Sequence, residues 1–414
     1  MQAHRSAAPL PRLLYLGDVP VESSYHGSVL LYRLFANYPT DKLLVIETDL
    51  ARSLPERRLP DVQYRRQRLF GGRLSRTRFS KIYSVFLMWR ARYRVRQVCR
   101  SLGEFRPEAV ISVAHGYHWI TAARLAKHLH VPFHLVVHDH PSQVTTLPSS
   151  LRRFLELAFG VAYKQAATRF CVSPYMEAEY GARYGVPGSI LYPSRDRDCP
   201  KWEAPPERDP HTRRLKVAFA GTINSGGYAR LLRLLAGYLQ SDDTLALFGP
   251  HTPESVKRWN LEAENVQLAG LLSPSDLIER LRSEFDVLFV PMSFEVAGHA
   301  VNMRLGFPSK IADYAATGVP MLICGPEYCS AVRWARSNQP IAEVVVSETA
   351  DDLAQAVSRL RSLSHREFLA RRGLEVGERL FSQAAAESIL FSALQKHAKL
   401  KADVIEHAHP IGTK

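Results

Sequence analysis

The sequence predicts an α/β protein built from two parallel-sheet modules, and three observations carry that reading. Short apolar, β-branched runs recur along the chain, each followed by a helix-length stretch. Strands that read as continuous apolar runs are those covered on both faces of a parallel sheet. The alternation halts once, at RDRDCPKWEAPPERDPHTRR over 195–214, with four prolines amid dense mixed charge, and then restarts. Such a stretch reads as a linker. A chain of 414 residues also exceeds what one hydrophobic core ordinarily organises, so two domains are expected.

In order, the first module places strands at 12–17, 43–47, 109–113, 134–138, 169–173 and 189–192, with helices near 25–37, 79–103, 117–129, 149–168 and 175–184. The second places strands at 215–221, 244–248, 266–270, 285–290, 320–323 and 343–346. The expected division is 1–194 for the first domain, 195–214 for the linker, 215–380 for the second domain, 381–400 for a C-terminal helix and 401–414 for a flexible tail.

Composition excludes several classes. Five cysteines without CxxC or paired His spacing argue against a disulfide scaffold or a zinc site. The first apolar run, Leu13 to Leu16, is too short for a signal-peptide core. No stretch reaches the roughly 18 apolar residues of a spanning helix. A cytoplasmic protein is therefore expected. The formal net charge is +14, yet residues 51–100 alone hold fifteen basic residues against Glu56 and Asp61. The rest of the chain is close to neutral, so this is one basic segment and not a basic protein. Over 79–103, Met88, Ala91, Val95, Val98, Cys99 and Leu102 fall at helical spacing and predict a buried face. Arg90, Arg92, Arg94 and Arg96 are left over for an anionic membrane surface, beside an apolar flank of Phe86, Trp89 and Tyr93. No nucleic-acid module accompanies the charge, so a nucleic-acid partner is not expected.

Ligands of parallel sheets bind at the carboxyl ends of the strands, and two such modules facing each other would form a cleft suited to two substrates. The loops at those ends are the places to look for chemistry. The first, GDVPVESSYHG, is flanked by Gly17 and Gly27 and leads from a strand straight into an amphipathic helix, and a helix N-terminus favours anions. It lacks both GxGxxG and GK[ST]. His115-Gly116-Tyr117-His118 and His138-Asp139-His140 follow the third and fourth strands, and a carboxylate beside imidazoles suits acid/base work. In the second module, AGTINSGGY brings Gly221 and Thr222 to a strand end. In FPSKIADYAATGVPMLI (307–323), Pro308 suits a first helical position and Gly318 a helix cap. Ser309, Lys310 and Asp313 then lie in or just after the first turn, where Lys310 can meet a diphosphate and Asp313 a ribose. The triplet Asp196-Arg197-Asp198 mimics a metal-binding DxD but lies in the linker, so no metal site is expected.

These residues resemble a known family. FPSKIADYAATGVPML is similar to the C-terminal signature of GT-B glycosyltransferases of the family 4 type. VISVAHGYHWITAARLA followed by HLVVHDH resembles their acceptor domain, and VQLAGLLSPSDLIERLRSEFDVLFVPM their donor domain. The resemblance runs over about residues 12–400. It implies two Rossmann-like domains (GT-B), a last helix that crosses back to the first domain, and transfer from a UDP-, GDP- or similar sugar, usually with retention of configuration, without a bound metal or other cofactor. A lipid-linked or glycan-precursor acceptor and a peripheral place on the inner membrane face follow from it together with the basic segment. By position, Gly27, Gly221, Gly306, Phe307 and Asp313 match donor contacts, and His115 and Asp139 the reaction centre, with His138 assisting. The first of the two family glutamates is replaced by Leu305, leaving Glu295, Arg304 or His299 as candidates for its contact. Arg230 is the one basic residue offered by GTINSGGYAR, so Lys310, helped by Arg304, would carry more of the diphosphate charge. The same scaffold also serves nucleotide-sugar epimerases, and a silent sugar- or membrane-binding scaffold is a third reading.

Overall fold

The computed structural model describes residues 9–23, 27–72, 74, 77–143, 145–212, 214–223, 225–295 and 300–407. The chain divides into two compact units, Met1–Tyr192 with Ala386–Lys414, and Pro193–Ala385.

The first unit runs β1 (Leu13–Gly17), α1 (Gly27–Phe35), β2 (Leu43–Thr48), β3 (Gln63–Gln67), α2 (Ser80–Ala91), α3 (Val95–Leu102), β4 (Ala109–Val113), α4 (His118–Leu129), β5 (Phe133–Val137), α5 (Ser149–Gln165), β6 (Thr168–Cys171), α6 (Pro174–Tyr184) and β7 (Ser189–Ile190). Its strands pair in parallel in the order β3-β2-β1-β4-β5-β6-β7. Every residue of β1, β2, β4 and β5 is buried, as their largely apolar sequences predict, and Glu47, Thr48, Ser112 and His134 are buried with them. β3, QYRRQ, is half-exposed at the sheet edge and carries no apolar run, so sequence reading overlooks it. The 79–103 pattern is two helices and not one, because the chain breaks at Arg92–Arg94 between α2 and α3. α5 likewise stops at Gln165, three residues short of expectation.

The second unit runs β8 (Lys216–Ala220), α7 (Gly226–Tyr238), β9 (Thr244–Phe248), α8 (Pro253–Arg258), β10 (Val266–Gly270), α9 (Pro274–Glu284), β11 (Val287–Pro291), α10 (Ala300–Leu305), α11 (Lys310–Tyr314), β12 (Met321–Cys324), α12 (Ser330–Ser337), β13 (Ala342–Val345), α13 (Ala350–Leu360) and α14 (Leu363–Phe381). Its parallel order is β10-β9-β8-β11-β12-β13, which repeats the pattern of the first six strands of the other sheet. Ser or Thr followed by Pro starts several helices. Ser173 Oγ accepts from Met176 N at 3.0 Å before Pro174, and Ser273 and Thr252 do the same before Pro274 and Pro253. The hydroxyl satisfies an orphan helix amide and the proline presets the first turn.

Residues 195–214 are not a free linker. Arg208 donates to the Arg282 and Phe285 carbonyls at 2.5 and 2.8 Å and lies 3.5 Å from Asp286, while Trp202 packs beneath Arg282. Proline here rigidifies a strap laid along the second unit, and the division falls earlier, at Tyr192. The last helix, α15 (Gln383–His407), is longer than the expected 381–400 and extends into the expected flexible tail. Its Leu390 and Leu394 lie in the core of the first unit with Leu13, Tyr15 and Leu31, so the chain returns to that unit. None of the five cysteines forms a disulfide. Among the described residues no helix is long and apolar enough to cross a membrane.

Candidate functional site

In each sheet the order reverses beside the first strand, between β1 and β4 and between β8 and β11. That is where a parallel α/β sheet opens to ligands.

In the second unit, Tyr314 is the anchor. Its buried phenol oxygen accepts from Ala220 N at 2.6 Å, which pins α11 against the end of β8. α11 therefore points Lys310 at the loop after that strand. The ammonium stands 4.1 Å above the Phe219 ring and 5.7 Å from that of Tyr228. Gly221 makes room for it: its φ is +137°, and a Cβ there would lie 3.2 Å from Lys310 Nζ. Among the described residues no carboxylate pairs with this ammonium, and burial pushes its pKa down to about 7. His251, at the end of β9, places Nε2 2.8 Å from the Gly221 carbonyl, to which it donates. Burial lowers the pKa of this imidazole, and the charge of Lys310 adds to the effect. Ser225 caps α7 by accepting from Tyr228 N, and the Glu295 carboxylate lies over the same helix start, within 3.3 Å of where a Gly226 Cβ would be.

The end of β1 is filled differently. Asp18 is buried, and its Oδ2 accepts from Tyr117 N and His118 N at 2.6 and 2.9 Å, capping α4. Its Oδ1 accepts from Thr48 Oγ1 at 2.8 Å and lies 3.0 Å from His118 Nδ1. Burial alone would raise its pKa, but His118, the amides and Thr48 together hold it well below the usual carboxylate range. Gly116, with φ +64°, is needed here because any Cβ would collide with the Asp18 carboxylate.

The structure brings together His115, His138 and Asp139, at the ends of β4 and β5. Burial pushes the His138 pKa down to about 4, with a contribution from the charge of His115, and raises that of Asp139 against the opposing pull of His115. All three are half-buried. In the second unit Gly221 and Lys310 converge as expected, Glu295 joins them at the α7 start, and Thr222 and Ser309 are exposed nearby in sequence. Gly27 begins α1.

Other residues around these positions have partners within the second unit. Arg230 pairs with Glu348 at 2.6 Å. Phe307 packs against Trp334 and Phe381 at 5.6 and 5.7 Å, and Gly306 is buried, its N–H donating to the Asn302 carbonyl. Leu305 is buried as well, whereas Arg304 is exposed. Asp313 is half-buried in the field of Arg195 and Tyr314. Pro308 sits just before α11, and Gly318 has the expected left-handed φ of +69°. His299 lies outside the described residues. Asp196 accepts from Asp198 N in a turn, and Arg197 pairs with Asp198.

Within the basic segment, Arg90, Arg92 and Arg96 are exposed, but Arg94 is buried. Desolvation lowers its pKa against the pull of Asp18 and Tyr83, so it serves the interior and not a surface. Of the expected buried face, Ala91, Val98 and Leu102 are buried, joined by Tyr83 and Leu87, while Met88, Val95 and Cys99 are half-buried. His251 and Asp18 were missed by sequence reasoning, although both follow strands directly, in FGPH and LGD.

Comparison with known proteins agrees with this architecture. The family model Glycosyltransferase Family 4 matches residues 44–196. No curated protein matches the sequence. Among solved structures, Anabaena Alr3699/HepE in complex with UDP and glucose is similar with a TM-score of 0.64 at 13% identity, covering 93% of this chain and 99% of that one. Sucrose-phosphate synthase from Thermosynechococcus elongatus gives 0.64 at 13%, covering 96% and 100%. The lipopolysaccharide outer core galactosyltransferase WaaB gives 0.58 at 14%, covering 94% and 99%. The fold is thus that of the GT-B glycosyltransferases. The match of 44–196 agrees with the family 4 resemblance that the motifs carry.

Proposed function

We propose that the chain is a glycosyltransferase that moves a hexosyl group from a nucleoside-diphosphate sugar to a lipid-linked or glycan-precursor acceptor, without a metal. The observation that carries this reading is the Lys310 ammonium, partly buried over Gly221 at the end of β8 with no carboxylate partner among the described residues. A desolvated cation is costly unless an anion meets it, and a diphosphate supplies that anion. The start of α7 adds amides for the same charge. The solved HepE structures hold UDP and UDP-glucose, which supports a uridine donor here as well.

The leaving diphosphate would be stabilised by Lys310, with His251 holding the Gly221 loop in shape. Asp139, its pKa raised by burial, is the base that would take the proton of the acceptor hydroxyl, with His115 and His138 beside it. Its ionised form is required, so turnover should rise with pH through that raised pKa. Retention of configuration is the expected stereochemistry. The exposed Arg90, Arg92 and Arg96 support a peripheral position on the inner face of an anionic membrane.

A melting-temperature screen against UDP, GDP, ADP and dTDP tests the donor site; a shift with at least one is expected, and none would sink the reading. Release of nucleoside diphosphate only in the presence of acceptor would separate transfer from epimerisation. Stabilisation by nucleotide with no release under any donor would mark a silent binder.

A further inference from the structure

Away from both strand-end clusters, the first unit carries a groove of about 1230 Å³ lined by α3, α4, α5 and the turn before α3. Its wall on α5 is apolar where solvent would be expected. Phe154, Leu157 and Val161 recur at helical spacing and are 53%, 59% and 56% exposed. Facing them, the rim presents Arg92, Arg96, Arg124, Lys127 and His128, and among the described residues no Asp or Glu lines the groove. Arg92, Arg96, Arg124 and Lys127 have no ion-pair partner among the described residues. The apolar surface continues onto α2 through Tyr93, whose ring lies 5.2 Å from that of Trp89, itself 55% exposed. Monomeric proteins rarely leave such a patch uncovered.

We propose that this groove is where the protein docks on an anionic lipid bilayer. Lipid phosphates would meet the arginines and lysine of α3 and α4 while Phe154, Leu157 and Val161 enter the boundary between headgroups and chains. Charge complementarity selects this occupant. A neutral apolar partner would leave the cationic rim without counter-charge, and an acidic soluble partner would not use three exposed aliphatic and aromatic side chains on one helix face. An apolar stripe flanked by Arg and Lys is the pattern of an element lying in a membrane interface. The inference rests on the peripheral placement proposed above but moves the contact. Arg94 is withdrawn from it, and α4 and α5, which lie outside the basic segment, provide most of it.

Co-sedimentation of the full chain with phosphatidylcholine vesicles, with and without phosphatidylglycerol, tests this. Binding to the anionic vesicles alone, weakening with salt, is expected. Leu157→Asp with Val161→Asp, and separately Arg124→Glu with Lys127→Glu, should each weaken it by about tenfold or more. These side chains are exposed, so the melting temperature and the UDP-induced shift should stay as in the wild type. That UDP shift reads the donor site independently, so failure here and failure of the glycosyltransferase reading are distinguishable. Equal binding to neutral vesicles, or undiminished binding by both groove variants, would overturn the proposal. So would a change of oligomeric state on Leu157→Asp without vesicle binding by the wild type, which would assign the face to a second copy of the chain.

Discussion

The two sheets share a strand order and differ in what occupies the end of the first strand. After β1 stands Asp18, a buried carboxylate satisfied four times over by two amides, a hydroxyl and His118. After β8 stands Gly221, and the space it leaves is taken by an ammonium with aromatic rings beneath it and no counter-ion among the described residues. One end is internally closed, and the other has no anionic side chain paired with it among the described residues. A buried charge without a partner is retained against a cost in stability, and this difference is what supports the proposed donor site in the second unit.

The largest effect that could break this contrast is on the closed side. Asp18→Ala should destabilise the protein by roughly 3–5 kcal/mol, because it strips the cap of α4 and removes the carboxylate beside the buried His118 Nδ1. Urea unfolding measures it, and a loss below about 1 kcal/mol would mean that the network is not structural.

On the open side, Lys310→Met should weaken UDP binding by about 2–3 kcal/mol, the range for a charge-assisted contact, as read by calorimetry. The same variant should raise the melting temperature of the ligand-free protein at neutral pH. The direction follows from the lowered pKa. Between about 7 and the ordinary lysine value of 10.5, the unfolded chain binds the proton and the folded one does not, so stability rises with pH across that window. Lys310→Met should abolish the rise. Nucleotide affinity should move the opposite way, falling up to about tenfold per pH unit above 7 in the wild type, because the free protein loses the charge that the diphosphate needs.

A smaller effect is expected at Gly221→Ala, about 1–2 kcal/mol from the left-handed backbone, with weaker UDP binding as the methyl displaces Lys310. Smallest is Arg230→Ala. Its pair with Glu348 is partly exposed, so less than about 1 kcal/mol of stability and little change in UDP affinity should follow. A large loss of affinity would assign Arg230 to the donor site.

Much of the fold was legible because burial on both faces leaves an unmistakable apolar run. β3 was not, since an edge strand of QYRRQ buries only Gln67. The break at Arg92–Arg94 was hidden because the apolar spacing continues across it, and it turns Arg94 inward. For the site, the strand-end rule located His115, Asp139 and Gly221, the helix-start pattern of FPSKIADY located Lys310, and the strand-end rule applied to FGPH and LGD would have found His251 and Asp18. It could not foresee that Arg230 meets Glu348, 118 residues away, or that Phe307 belongs to an aromatic cluster with Trp334 and Phe381.

The sequence by itself determined the two-module α/β architecture, the parallel strands and the loops where chemistry could sit, because strand and helix periods and Pro/Gly punctuation are local properties of the chain. Only the tertiary structure decided which charges are spent and which remain. Whether Arg94, Arg230, Asp18 or Lys310 has a partner depends on residues brought near by the packing of distant elements, as Tyr314 is brought to Ala220 across 94 positions. The cost of leaving a charge unpaired is set by the burial that this packing creates.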